Sequence, residues 1–145
     1  MTKTVYTVGY SGRKPEDLKQ FVIYLDAVLL DIRFSPVSRI PHWNKMAVAD
    51  TVGGAYQHVK ALGNVNYKGG PVQIVDYQRG KAIIEASECP VILMCACGDP
   101  THCHRTVVAE MLRKDGYTVT ELNTAKAPAT RSEERRVGKE CRSRW

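Results

Sequence analysis

Between residues 4 and 122, short apolar or β-branched stretches alternate with segments of helical period. Thr4–Val8 is rich in β-branched residues and stops at Gly9, as a strand does. Pro15 suits a first helical position, and Leu18, Phe21, Val22 and Leu25 follow on one helical face. Ala27–Ile32 is an unbroken apolar run, the signature of a strand covered on both faces. Pro36 and Pro41 make Ser35–Trp43 a loop, before a short helix expected over Asn44–Thr51 and a third strand over Tyr56–Val59. Lys68–Pro71 reads as a turn. Ile74–Ser87 reads as a helix, weakened by Gly80 at a cost of ~1 kcal/mol against alanine. Val91–Ala96 is a further apolar strand. Cys103–Asp115 places Val107, Val108, Met111 and Leu112 on one helical face, with Gly116 at the C-terminal cap, and Tyr117–Leu122 alternates as a last strand. Strands separated by helices predict a single three-layer α/β domain, with a mainly parallel sheet of about five strands, helices on both faces and right-handed crossovers.

A chain of 145 residues suits one domain, here residues 1–124. With 43% hydrophobic and 25% charged residues, it is not a wholly disordered polymer. No apolar run approaches the ~20 residues of a membrane span, and no signal-peptide core follows Met1. A cytoplasmic location and no membrane partner are expected. The formal charge is +6, but residues 131–145 hold six bases and three acids and so carry half of it. Residues 125–145 are expected to form a disordered tail. The stretch RSEERRVGKECRSRW (131–145) has no helical or strand period and resembles a translated sequencing adaptor, so it is treated as artefactual. The remaining mild positive charge is compatible with an anionic partner, either a small molecule or nucleic acid.

In parallel sheets, ligands bind beyond the carboxyl ends of the strands. The predicted strands end at Gly9-Tyr10-Ser11, Asp31-Ile32-Arg33, Leu62-Gly63-Asn64 and Cys95-Ala96-Cys97, so the chemically capable residues gather on one rim. No dinucleotide fingerprint, phosphate-binding P-loop or serine nucleophile elbow occurs. Apart from Cys141 in the tail, the cysteines are Cys89, Cys95, Cys97 and Cys103; without a secretory signal they point to metal or thiol chemistry rather than to disulfides.

Gly9-Tyr10-Ser11, Asp31-Ile32-Arg33-Phe34-Ser35-Pro36-Val37-Ser38-Arg39 and Leu93–Arg105 together resemble the domain of unknown function 488 family, over about residues 4–122. The resemblance implies a small α/β domain of bacteria, archaea or phages, with no assigned activity. Members commonly carry glutamate at the position of Cys97. That departure puts a shared carboxylate role in doubt here and opens a metal reading.

Cys103 and His104 fall at the start of a helix, where free N–H groups and the helix dipole favour a thiolate. A catalytic reading makes Cys103 the nucleophile, His104 its base or a general acid, and Asp31 an orienting carboxylate. Tyr10, Ser11, Arg33, Arg39, Asn64 and Arg105 then bind an anionic, nucleotide-like or nucleic-acid substrate. Alternatively, Asp31 and Arg33 simply pair with each other, since Asp-x-Arg puts both on one side of a strand. Cys95, Cys97, Cys103 and His104 also form a candidate zinc set, although neighbours such as Cys103 and His104 diverge by about 100° on a helix. Three readings stay open: a Cys-His-Arg and Asp-x-Arg enzyme, a non-catalytic phosphate-ligand or nucleic-acid module, and a zinc-stabilised domain.

Overall fold

The apolar run at 27–32 becomes the second of five strands. The computed structural model of the chain describes residues 4–96 and 103–122. The strands are β1 (Thr4–Gly9), β2 (Val28–Asp31), β3 (Tyr56–His58), β4 (Val91–Cys95) and β5 (Thr118–Glu121), and they form one sheet in the order β3-β2-β4-β1-β5. Every pairing is parallel. β2 and β4 are buried at every residue, because helices cover both faces.

Four helices separate the strands: α1 (Pro15–Leu25), α2 (Lys45–Val52), α3 (Tyr77–Ala86) and α4 (His104–Lys114). Strand alternation divides the core in two. Leu29, Ile92 and Met94 pack with Leu18 and Phe21 of α1 and Val48 of α2. Val28, Leu30, Val91, Leu93 and Cys95 pack on the opposite face with Ile84 of α3 and Val108, Ala109 and Leu112 of α4. The strand order explains this division. From β1 to β2 to β3 the chain moves towards one sheet edge; from β3 to β4 to β5 it moves towards the other. Right-handed crossovers travelling in opposite directions must lie on opposite faces. The helices that follow the neighbouring strands β2 and β4, α2 and α4, therefore pack on opposite faces, and a crevice lies between the carboxyl ends of the two strands.

Two elements differ from the sequence reading. The buried stripe of α4 is Arg105, Val108, Ala109 and Leu112, while Val107 is exposed and Met111 only half-buried. The helix is rotated by about one position because an arginine occupies the inward face. The helix expected from Ile74 starts at Tyr77. Asp76 caps it by accepting a hydrogen bond from the Arg79 N–H, and Ile74 instead makes an antiparallel bridge with Asn64. Residues 63–76 thus form a hairpin-like excursion, fastened by Val65 N–H to the Gln73 carbonyl at 2.7 Å and Asp76 N–H to the Ala61 carbonyl at 2.8 Å.

Two glycines let backbone segments approach closely here. A Cβ at Gly63 would lie 2.8 Å from the Phe34 Cα, so the excursion can cross the chain leaving β2 only with glycine there. A Cβ at Gly80 would lie 2.3 Å from Cγ of the fully buried Leu62. Helix propensity alone predicts that Gly80→Ala stabilises by ~1 kcal/mol. Overpacking costs ~1–3 kcal/mol, and the clash involves a branch point with no room to move. Gly80→Ala is therefore expected to lower the urea midpoint with the m-value unchanged; a raised midpoint would refute this packing account.

Candidate functional site

At the crevice between β2 and β4 lies a cleft of about 340 Å³. Arg33, Phe34 and Ser35 line it from the end of β2, Cys95 and Ala96 from the end of β4, and Cys103 and His104 from the start of α4. Asn64, Tyr67 and Val72 close it from the 63–76 excursion.

Three soft donors converge there. The Cys95 Sγ, the Cys103 Sγ and a ring nitrogen of His104 lie within 4.8 Å of one another, and both thiols are free. The Cys103 Sγ is 3.9 Å from His104 Nδ1. These neighbours meet because Cys103 is not helical. It is the N-cap of α4, with φ −114° and ψ 144°, so the helical divergence between adjacent side chains does not apply. His104 Nε2 lies 2.9 Å from the Ile32 carbonyl oxygen. A carbonyl only accepts, so Nε2 carries the proton and donates it. In the neutral ring this leaves the Nδ1 lone pair on the side of Cys103.

Cys95 is held from behind. Arg105 is 0% exposed and donates from Nη1 to the Cys95 Sγ at 3.2 Å. Its Nε and Nη2 make a bidentate pair with Glu121, each at 2.9 Å, and Thr7 Oγ1 also donates to Glu121 at 2.7 Å. Glu121 shares the inward side of β5 with Val119, two residues before it. This hydrogen bond fixes the Cys95 side chain from the side away from the cleft, while Glu121 balances the guanidinium charge.

The Asp-x-Arg residues reach the same rim on the opposite face of the sheet. Arg33 Nε and Nη2 donate to the Asp31 carboxylate at 2.8 and 2.5 Å; Nη1 donates to the Trp43 carbonyl at 2.7 Å and the Tyr10 hydroxyl at 3.3 Å. Tyr56 donates its hydroxyl proton to Asp31 at 2.5 Å. Burial by itself would lower the Arg33 pKa, but hydrogen bonding and attraction to Asp31 hold it above its ordinary value. Burial, reinforced by the Asp31 charge, raises that of Tyr56. Asp31 and Arg33 thus satisfy each other among the aromatic residues under α1 and α2.

The remaining sequence candidates occupy varied places. Tyr10 stacks on Trp43, centroids 4.1 Å apart, within the core. Ser11 is exposed beyond β1, its N–H donating to the Ala96 carbonyl at 3.0 Å, and Arg39 is exposed on the loop after β2. Asn64 lines the cleft, with Oδ1 accepting from the N–H groups of Asn66 and Gln73. Arg105 lies behind Cys95 rather than in the wall. Cys97 lies outside the described residues. Phe34, Val72 and Glu121 were not singled out from the sequence. An acid two positions from Val119, on the inward side of an alternating strand, is the signal that marks Glu121.

With this geometry in view, the family described as Domain of unknown function DUF488 matches residues 76–112. The match spans α3, β4 and most of α4, and so includes Cys95, Cys103, His104 and Arg105 but not Asp31 or Arg33. Neither the curated proteins nor the solved structures contain a match. Among the described residues, no helix is long and apolar enough to cross a membrane.

Two outcomes follow from the electrostatics. Breaking a buried ion pair costs ~3–5 kcal/mol, whereas replacing both partners with apolar groups is often neutral. Asp31→Ala is expected to cost that much in urea unfolding, and Asp31→Leu combined with Arg33→Met to recover most of it; equal losses in both would show that the pair is not the source. Burial is the largest influence on His104 and lowers its pKa below 6.5. The Ile32 carbonyl opposes this shift, the Arg105 charge adds to it and Asp31 opposes it. Below about 6.5 the unfolded imidazole binds a proton that the folded one refuses, so stability falls as pH drops through that value. Unfolding of the metal-free chain should show this slope, and His104→Gln should flatten it; an unchanged slope would place the titration elsewhere.

Proposed function

We propose that the cleft is an active site for a small anionic substrate, built on Cys95, Cys103 and His104, which together hold a soft divalent ion such as zinc. The observation that carries this reading is the convergence of two free thiols and an imidazole within 4.8 Å on the wall of a cleft. Tetrahedral zinc, with bonds of about 2.0–2.3 Å, needs its donors about 3.5 Å apart, a contraction of about 1 Å that side-chain rotation supplies.

The surroundings fit such an ion. His104 donates Nε2–H to a backbone carbonyl, the outer hydrogen bond that orients a metal-binding imidazole through Nδ1. Arg105 supports Cys95 in the same way. Charge also balances: Glu121 offsets Arg105, and two thiolates offset a divalent ion. Among the described residues three donors face the ion, and in this reading the fourth position takes water or substrate, as in catalytic zinc sites. A bound ion there would act as a Lewis acid and lower the pKa of bound water. The chain orients the ring, holds the thiolates and walls the site from bulk water on the sheet side. The reading places the protein in the cytoplasm, a reducing compartment in which both thiols stay available.

A second reading is favoured by the 3.9 Å approach of Cys103 Sγ to His104 Nδ1. Without metal, Nδ1 can take the thiol proton, leaving a Cys103 thiolate as nucleophile. One experiment separates the two. Protein purified without chelator should hold a single zinc ion by elemental analysis, and cobalt in its place should show sulfur-to-metal charge transfer. Cys95→Ser, Cys103→Ser and His104→Ala should each lose both signals. If the wild type binds no more metal than these variants, the metal reading fails. Alkylation of Cys103 faster than free cysteine near neutral pH would then support the nucleophile, and a free-cysteine rate would eliminate it too.

A further inference from the structure

The outer wall of the cleft carries a second cluster that the thiol–imidazole group does not use. Phe34 follows Arg33 at the end of β2, and Tyr67 projects from the 63–76 excursion; both line the cleft. Their rings stack, with centroids 5.3 Å apart and planes 26° from parallel. Lys60 Nζ sits 4.5 Å from the Phe34 ring centroid, and Lys68 Nζ sits 5.8 Å from that of Tyr67. Neither lysine has a carboxylate within ion-pair distance among the described residues, whose ion pairs lie elsewhere. Tyr67 is 50% exposed, so its ring remains accessible at the mouth.

We infer that this wall is a subsite for one nucleotide unit, with the base stacked on the Phe34–Tyr67 pair and the phosphate bound by Lys60 and Lys68. The inference rests on the proposal that the cleft takes an anionic substrate, and it names the class. Three physical points support it. An ammonium over an exposed ring is only weakly held, whereas a charge-assisted hydrogen bond to phosphate is about twice as strong as a neutral one. A phosphate therefore draws the lysines off the rings, and the uncovered aromatic face takes a base, as stacking platforms do irrespective of base identity. The amide of Asn64, with Oδ1 committed to the excursion, offers N–H donors on the same wall. A volume of about 340 Å³ lies at the lower end of the roughly 300–1,000 Å³ typical of small-molecule sites, which suits a single unit.

The test is calorimetric titration of the full chain with adenosine 5′-monophosphate, adenosine, inorganic phosphate and a short 5′-phosphorylated single strand. The monophosphate is expected to bind at least tenfold more tightly than either of its parts. Tyr67→Ala should weaken it about tenfold while Tyr67→Phe restores it. Lys60→Ala with Lys68→Ala should reduce it to the level of adenosine and abolish its salt dependence. If the single strand binds more tightly than the monophosphate, the unit is the end of a strand; if not, it is a free nucleotide. Monophosphate affinity unchanged in the Tyr67→Ala and double-lysine variants would overturn the inference, as would affinity equal to that of inorganic phosphate. Metal content is measured in the same samples. Nucleotide binding without metal would uphold the subsite and remove the metal proposal, and metal without nucleotide binding would do the reverse.

Discussion

The neighbouring strands β2 and β4 hand their chains to opposite faces of the sheet, and the site depends on that divergence. Ile32 N–H continues the ladder by donating to the Met94 carbonyl at 2.9 Å, so the two strand ends are held in register up to the rim. Beyond that bond, α2 follows β2 on one face of the sheet and α4 follows β4 on the other. The crevice is therefore a consequence of crossover handedness. Its contents follow from which residues happen to end those strands: Arg33 and Phe34 on one side, Cys95 on the other.

Buried charge then fixes the walls. Two guanidiniums lie near the rim, one on each face, and each is satisfied by its own carboxylate, Arg33 by Asp31 and Arg105 by Glu121. Such pairs bring little net stability, because desolvation offsets attraction. Their directional bonds do specify geometry. Arg33 ties β2 to the Tyr10–Trp43 stack, and Arg105 ties α4 to β5 while presenting an N–H to Cys95. The guanidiniums are thus neutralised, whereas the ammoniums of Lys60 and Lys68, over the Phe34 and Tyr67 rings, have no ion-pair partner among the described residues.

Much of this was legible beforehand. Period-2 and period-3.6 patterning located the five strands and four helices of the described residues, and of the residues that the carboxyl-end rule gathered on one rim, Arg33, Asn64 and Cys95 line the cleft while Tyr10 packs in the core. The pattern misplaced the inward face of α4, because hydropathy cannot see that Arg105 is buried against an acid sixteen residues later. It also started α3 too early, since the apolar Ile74 and Val75 belong to an excursion whose hydrogen bonds run back to Ala61 and Gly63.

The amino-acid sequence alone determined the layered parallel architecture and the kinds of side chain at the strand ends, because both depend on local periodicity and on a handedness rule common to all such chains. Only the tertiary structure decided which of those side chains face each other. Alternation sends Asp31 and Cys95 to opposite faces of the sheet, and the extended backbone of Cys103 at a helix start turns two sequence neighbours, Cys103 and His104, towards the same point. Partners so far apart in the chain meet through packing and long-range pairing, which no local pattern encodes.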